Sequence, residues 1–362
     1  MRPQIVLGTP VLNPATLLSR PSITLPYPFD EPTLELCPYG RVALLQGLKL
    51  LSIGAGDSVL IPSLICASVA APFNALGIKI QYYDVDDSLQ PRFHTALESL
   101  NSSTKALLAV NYFGFPQDVE AIRDFCAQHN LYYIEDNAHG FLSSASSGPL
   151  GAFGDIAIFS QRKTLPLPNG GGLLVNNHDL LKQSLPRSDE IVCSKKRYAF
   201  KFLLKNFLLN FGPSLGFDVI SILRRFPSSG GTAETEESDL ASVMEPYSRL
   251  TSWLLYRTDF EREKRVRRQS FKDWEDILVK QAVHGLSPVF DNLPEGTVPY
   301  AFPLRVAKRN EFIERFRRRG VGCSPWPTLP STAPRTRLNE ELVLVPTHSL
   351  PPVHYSSSKM NY

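Results

Sequence analysis

Hydrophobic and polar positions change period several times along the first half of the chain. In "GRVALLQGLKLL" the apolar positions Val42, Leu45, Leu48 and Leu51 recur at helical spacing and predict a helix from Arg41 to Leu51. A Gly/Asp turn follows, and the apolar run after it predicts a short strand, Ser58–Ile61. "ASVAAPFNALGIKIQYYDVD" repeats the scheme as a helix, a glycine turn at Gly77 and a strand from Lys79 to Asp84. "KALLAVNYF" reads as a buried strand, "DVEAIRDFCAQHN" as an amphipathic helix, and "LYYIEDNAH" as a strand with acids at its carboxyl end. "DIAIFS" and "GGLLVNN" are further short strands. Strands alternating with helices imply βαβ units and a mostly parallel sheet, so the predicted class is α/β.

The regularity stops near Leu185. The predicted large domain spans 1–240, with a basic and apolar insertion at about 190–230 and a flexible Gly/Ser/acidic segment at 227–239. Residues 241–362 form a smaller α/β domain. In it, one long helix is expected from Pro246 to Leu278, then the strand "PYAFPLRV", then the helix "RNEFIERFRRRG". The tail "HYSSSKMNY" has no folding pattern.

Composition narrows the class. With 362 residues, 43% of them hydrophobic, the chain can bury a large core. A net charge of +3 is too small and too dispersed for a nucleic-acid binder. No stretch reaches about 18 consecutive apolar residues, so no membrane span is expected. The start "MRPQIVLGTPVLNP" lacks the apolar core of a signal peptide. Cys37, Cys66, Cys126, Cys193 and Cys323 lie far apart without a CxxC pair. That pattern reads as reduced thiols of a cytoplasmic protein, with neither a disulfide framework nor a metal site.

The chemistry gathers at strand ends, where ligands of parallel sheets bind. Asn111, Asp136, His139 and Ser160 all stand at such ends. A carboxylate ending an apolar run is costly to bury unless it meets a cation or a strong donor. His139 offers a flat polar ring able to lie against a planar ligand. Gly40 and Arg41 open the first helix, where N–H groups and the helix dipole favour an anion. Ser160 adds a hydroxyl, and Lys163 an amine suited to Schiff-base chemistry. Each has a bland reading alone: a solvated turn acid, a packing histidine, a surface lysine. Together and in this order they describe a pyridoxal 5'-phosphate (PLP) pocket.

The same segments resemble the DegT-type sugar aminotransferases, PLP enzymes of fold type I, closely from about Cys37 to Asn177 and loosely beyond. "YGRVALLQGLKLL" is similar to the family's phosphate-holding helix, "YIEDNAHG" to its Glu-Asp-x-Ala-Gln/His motif, and "GDIAIFSQRKTLPLPNGGGLLV" to its serine–lysine–glycine segment. The resemblance implies a large PLP-binding domain with a central sheet and a small C-terminal domain. It implies that Asp136 pairs with the pyridine nitrogen, His139 lies near the phenolic oxygen, Ser160 meets the phosphate and Lys163 carries the cofactor. Several positions depart from the family pattern. Arg41 replaces a threonine, Cys66 stands near the place of an expected aromatic, and Asn169 replaces an acid. The interval from Ser160 to Lys163 is short, and "MEPYSRL" stands where an Asn-x-Arg segment is usual. Asn111, Tyr112 and Arg249 are candidate substrate contacts.

What the resemblance implies is transfer of an amino group, with glutamate as donor, to a nucleotide-linked keto-sugar during polysaccharide or cell-surface glycan biosynthesis, by a homodimer. The alternatives are a PLP-dependent sugar dehydratase, which typically has histidine at the lysine position, and a catalytically silent relative. Arg249, Arg267 and Arg268 read as a solvated basic face, with a sugar diphosphate as the sharper alternative. Lys201 and Lys205, beside Phe200, Leu204, Phe207, Leu208 and Phe211, allow a helix resting on anionic lipid or one packed on protein.

Overall fold

A computed structural model describes residues 6–182, 196–211, 247–279 and 285–351. The expected domain boundary at 240, the segment 227–239, the tail and Cys193 lie outside these residues; of the insertion only Lys196–Phe211 is described.

After a short helix α1 (Pro14–Leu18), strand β1 (Leu34–Cys37) leads into α2 (Gly40–Leu50). Strands β2 (Ser58–Pro62), β3 (Lys79–Tyr83), β4 (Thr104–Val110) and β5 (Tyr132–Asn137) follow, with helices α3 (Ala70–Ala75), α4 (Phe93–Ser99) and α5 (Val119–Gln128) between them. A two-residue hairpin, β6 (Ser144–Ala145) and β7 (Gly148–Pro149), precedes β8 (Ile156–Phe159), one turn of helix α6 (Gln161–Thr164), and β9 (Gly171–Val175). The seven main strands form one sheet in the order β1-β9-β8-β5-β4-β2-β3. Pairings from β3 through β8 are parallel, whereas β8–β9 and β9–β1 are antiparallel. Strand β2 is buried along its whole length and β4 nearly so, which is why both read as unbroken apolar runs.

The run "KALLAVNYF" does not stay extended. Strand β4 ends at Val110, and Phe113 takes a left-handed conformation (φ 56°) in a short 3-10 turn. Next to it Gly114 (φ 92°) lies where a Cβ would run into the Val298 carbonyl, so a glycine lets this turn pass under the C-terminal part.

Beyond α7 (Lys196–Phe211), the single long helix expected from Pro246 to Leu278 is two helices, α8 (Arg249–Leu255) and α9 (Phe260–Leu278). Asp259 causes the break by capping the second one: its side chain accepts the Arg262 N–H at 2.8 Å. Strands β10 (Leu286–Pro288), β11 (Ala301–Val306), β12 (Ser324–Pro325) and β13 (Leu342–Pro346) make an antiparallel sheet in the order β10-β11-β13-β12, with α10 (Arg309–Arg318) and α11 (Arg337–Glu341) beside it. Trp274 and Phe271 of α9 and Phe316 of α10 belong to the same core as β2, β4 and β11, so the small sheet is held firmly over the strand ends.

Candidate active site

Strand alternation divides the end of β5 between two faces. Glu135 is fully buried, and five N–H donors close around its carboxylate: Gly151, Phe153 and Gly154 from the backbone, and the side-chain amides of Asn111 and Asn137. Burial pushes this carboxyl above its usual range and the donors pull it back. Asp136 turns the other way. It too is buried, but among the described residues the backbone donates to it only at Ala138 N–H, 2.8 Å away. Burial raises its carboxyl above the usual range, opposed by that hydrogen bond and by the charge of Lys163.

Lys163 arrives on α6. Its N–H donates to the Ser160 carbonyl at 3.0 Å, and the Leu165 N–H closes the turn on Gln161. Ser160 and Lys163 are three residues apart on this turn and so share a face, which is how a short interval still presents both. Pro166 ends the turn. Asn169 fixes the return: its side-chain oxygen accepts from Thr251 Oγ1 (2.8 Å) and from the Ser248 N–H (3.1 Å). A neutral amide does this while buried, where an acid would have to be ionised. Gly171 then passes so close to Tyr39 and Gly40 that a Cβ would collide with their backbone. That close approach brings the start of α2 beside Phe159–Ser160.

The Lys163 amine lies 3.4 Å from His139 Nε2. Burial, assisted by the lysine charge, holds this imidazole well below its ordinary pKa, so it is neutral. The expectation that His139 lies flat against a ligand is corrected here. Its ring is parallel to Tyr300 (centroids 4.4 Å, 3° between planes) and nearly parallel to Phe113 (5.5 Å, 16°). Its edge nitrogen Nε2 is the atom turned toward the Lys163 amine.

One cavity, open to solvent, has Gly40, Arg41, Cys66, Asp136, His139, Ser160 and Lys163 among its lining residues. The candidate substrate contacts lie elsewhere. Asn111 is committed to Glu135 and Asn137, and the Tyr112 hydroxyl donates to the Leu64 carbonyl at 2.8 Å. Arg249 is exposed at the first turn of α8. Arg267, read from sequence as part of a solvated face, is buried. Its guanidinium donates to the carbonyls of Thr164, Pro299 and Tyr300, tying the residue after Lys163 to the ring beside His139. Sequence reasoning missed Trp326, whose ring lies 5.5 Å from His139 and lines the cavity. It also missed Tyr39, whose ring sits 4.9 Å from the Arg41 guanidinium and 5.1 Å from that of Arg162.

These features suit a planar, phosphorylated, cationic-ring cofactor. Helix α2 begins beside Ser160 without a side-chain cap at Tyr39, so the positive end of its dipole favours an anion there. Buried Asp136 has room for a positive donor, and buried His139 Nδ1 has no hydrogen-bond partner. The primary amine of Lys163 lines the same cavity.

The model of the DegT/DnrJ/EryC1/StrS aminotransferase family matches residues 38–204. GDP-perosamine synthase from Vibrio cholerae is 27% identical over 309 residues, 80% of either chain. Among solved structures, sugar aminotransferase CalS13 from Micromonospora echinospora superposes with a TM-score of 0.64 over 97% of each chain, at 17% identity. A GDP-4-keto-6-deoxymannose-3-dehydratase with bound GDP-perosamine gives 0.61 over 87% of this chain and 83% of that one, at 14% identity. The two structural likenesses bear on the fold alone.

Proposed function

We propose that this chain, whose residues 38–204 match the DegT/DnrJ/EryC1/StrS aminotransferase family, uses PLP to transfer an amino group from glutamate to the keto group of a nucleotide-linked sugar. The observation that carries the reading is the meeting of Lys163, Asp136 and His139 in one cavity beside the uncapped start of α2. When bound, the cofactor supplies a carbonyl for the incoming amine and a ring that accepts electrons.

The residues take distinct parts. Gly40, Arg41 and Ser160 hold the phosphate, Arg41 by charge where a hydroxyl is usual. The Asp136 carboxylate keeps the ring nitrogen protonated, which lowers the cost of its own burial. His139, neutral and edge-on, offers a nitrogen toward the phenolic oxygen. Lys163 would hold the cofactor, and its amine would serve as the base that takes a proton from the donor's α-carbon. Lysine at this position favours transfer over dehydration.

A homodimer is supported by exposed Leu18, Ile23, Trp253 and Tyr256 around α1 and α8, apolar surface that a second copy would cover. Buried, unbridged Cys37, Cys66, Cys126 and Cys323 support a reducing, cytoplasmic setting. A place in polysaccharide or cell-surface glycan biosynthesis follows from the sugar substrate. The test is incubation with PLP, glutamate and a panel of nucleotide keto-sugars, read by mass spectrometry. A product heavier than its keto-sugar by about one mass unit, formed with 2-oxoglutarate, supports the reading. Loss of water without nitrogen gain points to the dehydratase.

A further inference from the structure

Helix α7 carries two faces of different character. One is pinned to the protein: Asn206 Oδ1 accepts the Leu12 N–H at 2.8 Å, and Asn210 Nδ2 donates to the Leu12 carbonyl at 2.9 Å. Phe202 and Leu203 pack on the same side against the cluster that contains Leu12, Phe141 and Phe260. The other face is apolar and open. Phe200 (65% exposed), Leu204 (42%), Phe207 (52%) and Phe211 (41%) fall within an arc of about 60°. Lys201 and Lys205, both exposed, run along its flank.

The charge of the segment is one-sided. Helix α7 itself holds Lys196, Arg197, Lys201 and Lys205 and no acidic residue. We propose that the exposed face of α7 seats the protein on an anionic lipid surface, with the helix lying in the plane of the interface. The four apolar side chains enter the boundary between headgroups and acyl chains, and the lysine stems reach back to the headgroups. No helix among the described residues is long and apolar enough to cross a membrane, so the contact is peripheral.

A second copy of the chain fits this face less well. Two such helices would bring like charges together. The stripe exposes on the order of 400 Å², given 150–250 Å² per aromatic side chain, well short of a stable interface. An anionic bilayer answers both the apolar stripe and its cations.

The test is flotation of the full-length protein with vesicles of phosphatidylcholine alone and with about a third phosphatidylglycerol. The protein should float with the anionic vesicles only, and less so as salt rises. A Phe200→Ser/Phe207→Ser variant should lower partitioning by about tenfold or more. Lys201→Glu/Lys205→Glu, which leaves the apolar stripe intact and so serves if the serine pair misfolds, should do the same. Both should keep turnover in solution, since neither pair touches the cavity. Failure to float, flotation indifferent to both variants, or variants that only dissociate an oligomer in sedimentation would overturn the proposal.

Discussion

Glu135 and Asp136 are neighbours on β5, equally buried, and their surroundings give them opposite work. Glu135 faces five N–H groups and no amine, so its charge is satisfied within the fold and it fastens the loop 151–154 to the sheet. Asp136 faces one backbone donor and the charge of a lysine across an open cavity, which leaves it able to take a cationic ligand. A buried carboxylate is structural or chemical according to whether the protein itself finishes its hydrogen bonds.

That contrast can be broken by substitution. The largest effect is expected at Lys163, on the Asp136 side. Lys163→Ala should lower turnover by about ten-thousandfold, the upper range for a positioned proton-transfer group, while the melting temperature stays near wild type. Steady-state kinetics beside thermal melts check this. On the other face, Glu135→Ala strands three backbone N–H groups and two amides, and should cost about 3–5 kcal/mol of stability in urea unfolding. Any loss of turnover there should track the unfolded fraction.

Asp136→Asn should lower turnover by roughly a hundredfold, since each ~1.4 kcal/mol of lost transition-state stabilisation is tenfold. Its effect on the cofactor-free protein should have the opposite sign. The folded carboxyl is raised above its unfolded value, so ionising it costs stability as pH rises above about 4. The asparagine variant escapes that cost and should unfold at equal or higher urea near pH 7. The smallest effect belongs to His139, which is held neutral. Its folded pKa is depressed, so the unfolded chain binds more protons, and stability should fall as pH drops below about 6.5. Urea midpoints between pH 7 and 5 should show a shallower acid slope in His139→Asn.

How much of this is legible in the sequence depends on how local the cause is. The βαβ order is readable because parallel strands buried on both faces leave unbroken apolar runs, as β2 and β4 do. Asp136 and Ser160 are legible as polar residues ending such runs, and Lys163 as a cation on the turn that follows. Trp326 and Tyr300 come from distant chain and have no local mark. The orientation of His139 depends on them, so its face is misread as available. The break before α9 has a signal: Asp259, with Glu261 and Glu263 in the first turn, is a helix start. Arg267 is likewise readable, because Arg267, Ser270, Phe271, Trp274 and Leu278 recur at the spacing of one helix face, and all are buried. A charge on an apolar face is not a solvated charge.

Lys163 should carry the cofactor opposite Asp136. Borohydride reduction of the PLP-loaded protein, followed by peptide mapping, tests it most directly. A pyridoxyl group should be found on the Lys163 amine, and on the same residue in Asp136→Asn. A label on any other lysine, or none on well-folded protein, would contradict the account.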